Sequence, residues 1–145
     1  MPSLNGECLC GSVKYSVNGE IGDILHCHCS ECRKWHGSAF RSRTTVRKRD
    51  FNWIEGEQFI ARYDGLPTSI KTFCKLCGSN LVSYFRDNTE MIGLPIGAIE
   101  GNLEKKPLCH IFTDSKADWY DITDSLPQHS EFPDVSKNIH KSLEK

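Results

Sequence analysis

Three thiols crowd the segment HCHCSECRK, residues 26–34: Cys27, Cys29 and Cys32. A metal held entirely by protein in tetrahedral geometry takes four ligands, so three at C-x-C and C-x-x-C spacing leave one position to explain. Elsewhere Cys8 and Cys10 form another C-x-C pair, and Cys74 and Cys77 another C-x-x-C pair. Both pairs run directly into the same dipeptide, Gly11-Ser12 and Gly78-Ser79.

Zinc–thiolate bonds of ~2.3 Å require the ligand sulfurs to converge to roughly 3.8 Å from one another. A C-x-x-C turn achieves this by wrapping two sulfurs round one ion. A C-x-C pair achieves it on one side of a bent strand, because residues i and i+2 point the same way. A glycine after the second thiol permits φ > 0 and turns backbone N–H groups toward sulfur. Cys8, Cys10, Cys74 and Cys77 are therefore expected to make a closed structural zinc site, whose binding energy (~10–16 kcal/mol in small zinc domains) goes into folding. Cys27, Cys29 and Cys32 are expected to make a second, catalytic zinc site, with the fourth position left for water or substrate. That reading implies two Zn²⁺ per chain. Two residues compete for the open position: His36, four residues past Cys32, and Cys109, which also reads as an ordinary buried thiol. His26 and His28 would point to the opposite face of an extended segment and suit surface or supporting roles.

The elements that must position these thiols are mostly strands. In GSVKYSV, Val13, Tyr15 and Val17 alternate with Ser12, Lys14 and Ser16, the period of a half-buried strand. Similar runs are SAFRSRTTV, EQFIARYD, SIKTFC, NLVSYF, MIGLPIGAI and LCHIFTD, punctuated by turn signals such as Asn18-Gly19, Glu55-Gly56, Asp64-Gly65 and Gly101-Asn102. Pro95 should hold its strand to an edge or a bulge. One short helix is expected over Glu31–His36, capped by Ser30 and ended by Gly37. Only DVSKNIHKSLEK, at the end, offers weak helical spacing. The fold class is thus mainly β.

At 145 residues, 38% hydrophobic and 26% charged, the chain is expected to be one domain, 1–145, with its core over about 6–132 and a C-terminal tail at 133–145. No apolar run approaches the ~18 residues of a membrane span. The opening MPSLNGECLC has neither the basic start nor the apolar stretch of a secretory signal, so the expected location is cytoplasmic, with no membrane partner. In a reducing compartment eight cysteines read as ligands or reactive thiols rather than a disulfide framework. A formal charge of -1 gives no reason to expect nucleic acid. The basic run RSRTTVRKRD has two readings: Arg41, Arg43 and Thr45 alternate along the solvent face of a strand, or they build an anion-attracting wall near the metal site. Metal binding favours such a wall, because seven thiolates and two divalent cations leave the chain three charges more negative.

Together these residues resemble the glutathione-dependent formaldehyde-activating enzymes, a family with the β-tent fold. The likeness runs from about Gly6 to Phe132. CLCGSVKYSV resembles the opening strand, HCHCSECRKWHGSAF the central motif, FCKLCGS the second zinc turn, and LPIGAIEG and HIFTDSKADWYDITDSLPQ the later strands and closing segment. KADW stands where KAPW is often seen. The resemblance implies several short antiparallel sheets stapled by a structural zinc on Cys8, Cys10, Cys74 and Cys77, and a catalytic zinc on Cys27, Cys29 and Cys32. It also implies a carbon–sulfur lyase or synthase that joins the glutathione thiol to formaldehyde. Arg33, Lys34 and Arg41 are near enough in sequence to receive glutathione's carboxylates. Two other functions fit the residues: a non-catalytic zinc module engaging an acidic partner, and a thiol redox sensor.

Overall fold

Residues 3–133 are described by the computed structural model of the chain. Within them the alternating segments pair into β1 (Ser3–Glu7), β2 (Lys14–Asn18), β3 (Ile24–Cys27), β4 (Arg41–Arg47), β5 (Phe51–Glu55), β6 (Ile60–Tyr63), β7 (Ser69–Cys74), β8 (Asn80–Phe85), β9 (Met91–Pro95), β10 (Ile99–Glu100) and β11 (Pro107–Ile111). One α-helix, α1 (Ser30–His36), follows β3. The weak helical spacing of residues 134–145, and with it the tail beyond 133, lies outside the described residues. Among the described residues no helix is long and apolar enough to cross a membrane.

The strands form two sheets. The smaller is ordered β10-β1-β2-β5 and the larger β11-β3-β4-β9-β8-β7-β6. The strand pairing is antiparallel throughout, as expected, apart from one edge. The larger sheet has seven strands, and its β11–β3 edge is parallel. The mainly β class and the β-tent fold, with two sheets sharing one core, stand. Val13, Tyr15 and Val17 on one side meet Val46, Ile92, Leu94 and Val82 on the other. Full burial of each aliphatic side chain contributes about 1.5–3 kcal/mol, and these are all at most 2% exposed.

On β4 and β9 that packing uses one face of the larger sheet. On β4, Val46 faces the shared core, so by the two-residue period Arg41, Arg43 and Thr45 face the other way. A second, smaller core of Leu25, Cys27, Cys32, Cys109 and Ile111 lies on that far face. Pro95 is not on an edge strand: β9 sits between β4 and β8. It is tolerated because it ends the strand, facing Arg43 of β4, while the paired residues on the β8 side are Gly93 and Ile92. The helix begins one residue earlier than expected. Cys29, not Ser30, is its N-cap, and Gly37 ends it at φ 60°.

Candidate metal centres and their cavity

Cys8 and Cys10 follow β1, and Cys74 and Cys77 bracket the turn leaving β7, so the quartet joins the smaller sheet to the larger. The four sulfurs lie within 4.8 Å of one another. The Cys8–Cys10 and Cys10–Cys74 sulfur separations, 3.6 and 4.0 Å, bracket the ~3.8 Å edge that tetrahedral zinc–thiolate geometry demands. The donor set and spacing fit the ion. Gly11 and Gly78 adopt φ of 77° and 79° as the spacing predicts, yet their N–H groups donate to the carbonyls of Cys8 and Cys74. The donors aimed at sulfur come largely from the serines of the repeated dipeptide. Ser12 draws Cys10 below the usual thiol range, and Ser79, with its hydroxyl 3.2 Å from the Cys77 sulfur, draws that thiol down to about 5. Cys74, buried, is pushed up to about 11.

The trio is built at a strand-to-helix junction. Cys27 ends β3, Cys29 caps α1 with its sulfur accepting from the Cys32 N–H at 3.5 Å, and Cys32 is buried in the first turn. Capping thus turns the Cys29 sulfur back toward Cys32, and all three sulfurs lie within 4.8 Å of one another. This soft three-donor set fits a metal that keeps a further position free. Arg41 is the register partner of Cys27. The thiols share protons unequally: hydrogen bonding to Cys29 and Cys32 pushes Cys27 far up, while the same contacts, helped by Arg41 and Arg43, pull Cys32 far down.

Over the trio opens a cavity of about 480 Å³, within the ~300–1,000 Å³ typical of small-molecule sites. Three cations line it, Arg41, Arg43 and Lys71. Glu31 and Asp87, both exposed, also line it, with Phe85, Phe112 and Phe132 supplying apolar wall. Phe112 holds φ 56° and packs edge-on against Phe132 at 5.0 Å. A non-glycine residue in that region is strained, and such strain clusters at functional sites.

Each residue weighed for the trio's open position lies elsewhere. His36 accepts from the Asn80 side-chain amide at 2.8 Å and faces a different cavity. Cys109 is a buried thiol of β11, outside both cysteine clusters, pushed upward by burial. His26 and His28 do point away from the trio's face. His28, though, is fully buried and bonded to His110 at 2.8 Å, with His110 bonded in turn to Asp124. Of the candidate carboxylate receptors, Arg33 donates to the His28 carbonyl and Lys34 is exposed, and neither lines the cavity. Arg41 does, at 5% exposure. The solvent-face reading of Arg41, Arg43 and Thr45 is therefore corrected, because the far face of β4 is covered. Lys71, 5% exposed, also lines the cavity and gives no sequence signal of it: within SIKTFC it occupies what reads as the solvent side of an alternating strand. No disulfide joins any of the eight cysteines, all of which are described.

Three relatives resemble the chain. An uncharacterized lyase of Schizosaccharomyces pombe is 23% identical over 97% of this chain and 100% of its own length. A Halomonas elongata protein, provisionally named a glutathione-dependent formaldehyde-activating enzyme, is 28% identical over 82% of this chain and 80% of its own. A crystal structure of a Rhodobacter sphaeroides protein superposes with a TM-score of 0.58 at 28% identity, covering 69% of this chain and 91% of that one. The sequence model of the glutathione-dependent formaldehyde-activating enzymes matches residues 3–115, a span that holds both cysteine clusters, and the chain belongs to that family.

Proposed function

We propose that the chain is a zinc-dependent carbon–sulfur lyase or synthase acting on glutathione adducts of a small aldehyde, formaldehyde first among them. The observation that carries the reading is the cation-lined cavity opening onto the Cys27, Cys29 and Cys32 sulfurs. In this reading residues 1–145 form one domain with two Zn²⁺. Cys8, Cys10, Cys74 and Cys77 hold a structural ion closed to chemistry, and Cys27, Cys29 and Cys32 hold the catalytic one. When bound at the trio, the ion supplies the positive charge that keeps an incoming thiol deprotonated.

The remaining work falls to the chain. Three thiolates around a dication carry a net charge of -1, which Arg41 beside Cys27 offsets. Phe85, Phe112 and Phe132 exclude water from the approach, strengthening every charge interaction inside. In the synthetic direction the substrate's sulfur lone pair forms the C–S bond to the aldehyde carbon. The carbonyl π pair moves to oxygen, and the proton lost from sulfur ends there. The reverse breaks the same bond and returns aldehyde and thiol. A closed module presenting its basic run to an acidic partner is the weaker reading, since Arg41 and Arg43 line a cavity instead of a free surface.

Exchange NMR on a mixture of glutathione and ¹³C-formaldehyde tests the proposal. Zinc-loaded protein should accelerate interconversion of free aldehyde and S-hydroxymethylglutathione. A rate equal to the protein-free background rejects the formaldehyde reaction.

A further inference from the structure

The face of the larger sheet beneath the cavity carries more positive charge than its own carboxylates answer, and two small residues make room for it. Thr45 pairs with Gly93, Gly93 with Ser83, and Ser83 with Lys71, so these four form one row across β4, β9, β8 and β7. Directly paired residues share a face. By the two-residue period Arg43 and Arg41 lie on that face of β4, and Phe85 on that face of β8. The middle of the row is nearly bare: a hydrogen at Gly93 and a hydroxymethyl at Ser83.

Both cations use that space. A Cβ at Gly93 would meet the Arg43 Cδ and the Phe85 Cζ at 2.9 Å each, and an Arg43 guanidinium nitrogen at 3.2 Å. Arg43 lies across the glycine and sets its guanidinium 5.0 Å over the Phe85 ring. From the other side Lys71 reaches the Ser83 hydroxyl at 3.3 Å. Among the described residues neither Arg41, Arg43 nor Lys71 forms an ion pair with a carboxylate. Burial, together with the neighbouring cations, holds Arg43 down to about 9 and Lys71 down to about 8. Two buried polar atoms on this face of β4, Arg41 Nε and Thr45 Oγ1, have no hydrogen-bond partner. Buried charge without a counter-ion is costly, and a chain that keeps it has an anion to place there. Arg41, the register partner of Cys27, acts on the thiolates ahead of Arg43, which shares in that role more weakly. Glu31 and Asp87 are exposed, where water screens them. That leaves two cations.

We propose that Arg43 and Lys71 form a two-point seat, kept open by Gly93, which selects thiol adducts bearing two carboxylates, one for each cation. Glutathione meets this description, and a monoester or a cysteamine adduct does not. The exposed acids Glu31 and Asp87 are placed for the ammonium that such a peptide also carries. The seat deepens the function proposed above and relies on it for the thiol alone.

Binding isolates the seat from the chemistry. S-methylglutathione keeps both carboxylates but has no thiol to react, and its diethyl ester lacks both charges. Calorimetry on the zinc-loaded protein should find the diacid bound roughly tenfold or more tightly than the diester. That preference should shrink to threefold or less in R43M and in K71M, and G93A should weaken diacid binding by displacing Arg43. Circular dichroism and zinc content establish that each variant is folded and loaded, and R43K, which keeps the charge, should recover part of the preference. Equal affinity of wild type for diacid and diester overturns the seat, as does a preference unchanged in folded R43M and K71M. Diacid preference without catalysed exchange supports the seat while rejecting the formaldehyde reaction. Catalysed exchange with an unchanged glutathione KM in both variants rejects the seat alone.

Discussion

His28, which stands between Cys27 and Cys29 in sequence, sets its Nε2 2.8 Å from His110 Nδ1 of β11, and both residues are at most 1% exposed. His110 Nε2 continues the chain to the Asp124 carboxylate at 2.9 Å. A carboxylate only accepts, so His110 Nε2–H donates to it. His110 Nδ1 then accepts from His28 Nε2–H, and His28 Nδ1 is left as a bare lone pair, in accord with its lack of a partner. Burial and the neighbouring His110 hold His28 down to about 4, so it is neutral at pH 7. The chain ties the Cys27–Cys29 turn to the closing segment around residue 124.

The depth of each link orders the effect of removing it. Asp124 is 46% exposed, so Asp124→Ala should cost less than removing either histidine, because water replaces the carboxylate. His110→Phe leaves His28 Nε2–H buried and unpaired, and should cost about 1–3 kcal/mol. Urea denaturation of the two variants checks the order, and the reverse ranking would contradict the assigned donors.

The two cysteine clusters should fail differently. Cys77→Ser opens a site that joins the sheets, and is expected to lose most soluble, cooperatively folding protein. Cys29→Ser lies beside a cavity, and should leave a folded protein with one zinc fewer. Zinc content by elemental analysis, together with thermal melts, separates these outcomes. Equal unfolding in both removes the division of labour.

Gly78 and Gly97 form a controlled pair. Neither has any atom within 4 Å of where a Cβ would sit, but only Gly78 has positive φ, at 79°. Gly78→Ala should therefore destabilise by about 1–2 kcal/mol from backbone conformation alone. Gly97→Ala should fall within about 0.5 kcal/mol of the parent. Similar costs for both in denaturant titrations would place the glycine requirement elsewhere.

His36 makes stability depend on pH. Its Nδ1 accepts from Asn80, and burial together with Arg41 and Lys71 holds its pKa down to about 4, against an ordinary value of 6.5. Between those values the unfolded chain binds the extra proton, so stability rises with pH. The His36 contribution is complete above pH 6.5 and is lost as the pH falls toward 4. In a His36→Gln variant the unfolding midpoint should vary less over pH 4–6.5 than in the parent, and an unaltered slope would exclude His36 as the source.

What the sequence made legible, and what it hid, follows from what each signal encodes. Ligand spacing is local geometry, so the partition of Cys8, Cys10, Cys74 and Cys77 from Cys27, Cys29 and Cys32 could be read directly, as could the β7 and β8 segments from their alternation. β1, SLNGE, has no apolar alternation because it is held by neighbours on both sides rather than by its own apolar face. β5 offers only Phe51 and Trp53 as alternating apolar positions. The cavity was illegible for a different reason. Period two separates the faces of a strand, but a face over a polar cavity carries the same residue types as a face toward water. Arg41, Arg43 and Lys71 therefore read as surface until the strands and loops covering them were placed. In the Gly-Ser repeat the glycines carry the readable turn signal, while the serines aim at sulfur.

The quartet draws together Cys10 and Cys74, 64 positions apart, at the boundary of the two sheets. A contact of that span is slow for a chain to find by diffusion and collapse alone. If the zinc proposed for the quartet closes it, maturation of newly made chains would be paced by free zinc. Scarcity would then lower the amount of protein before it lowered the turnover of any finished molecule.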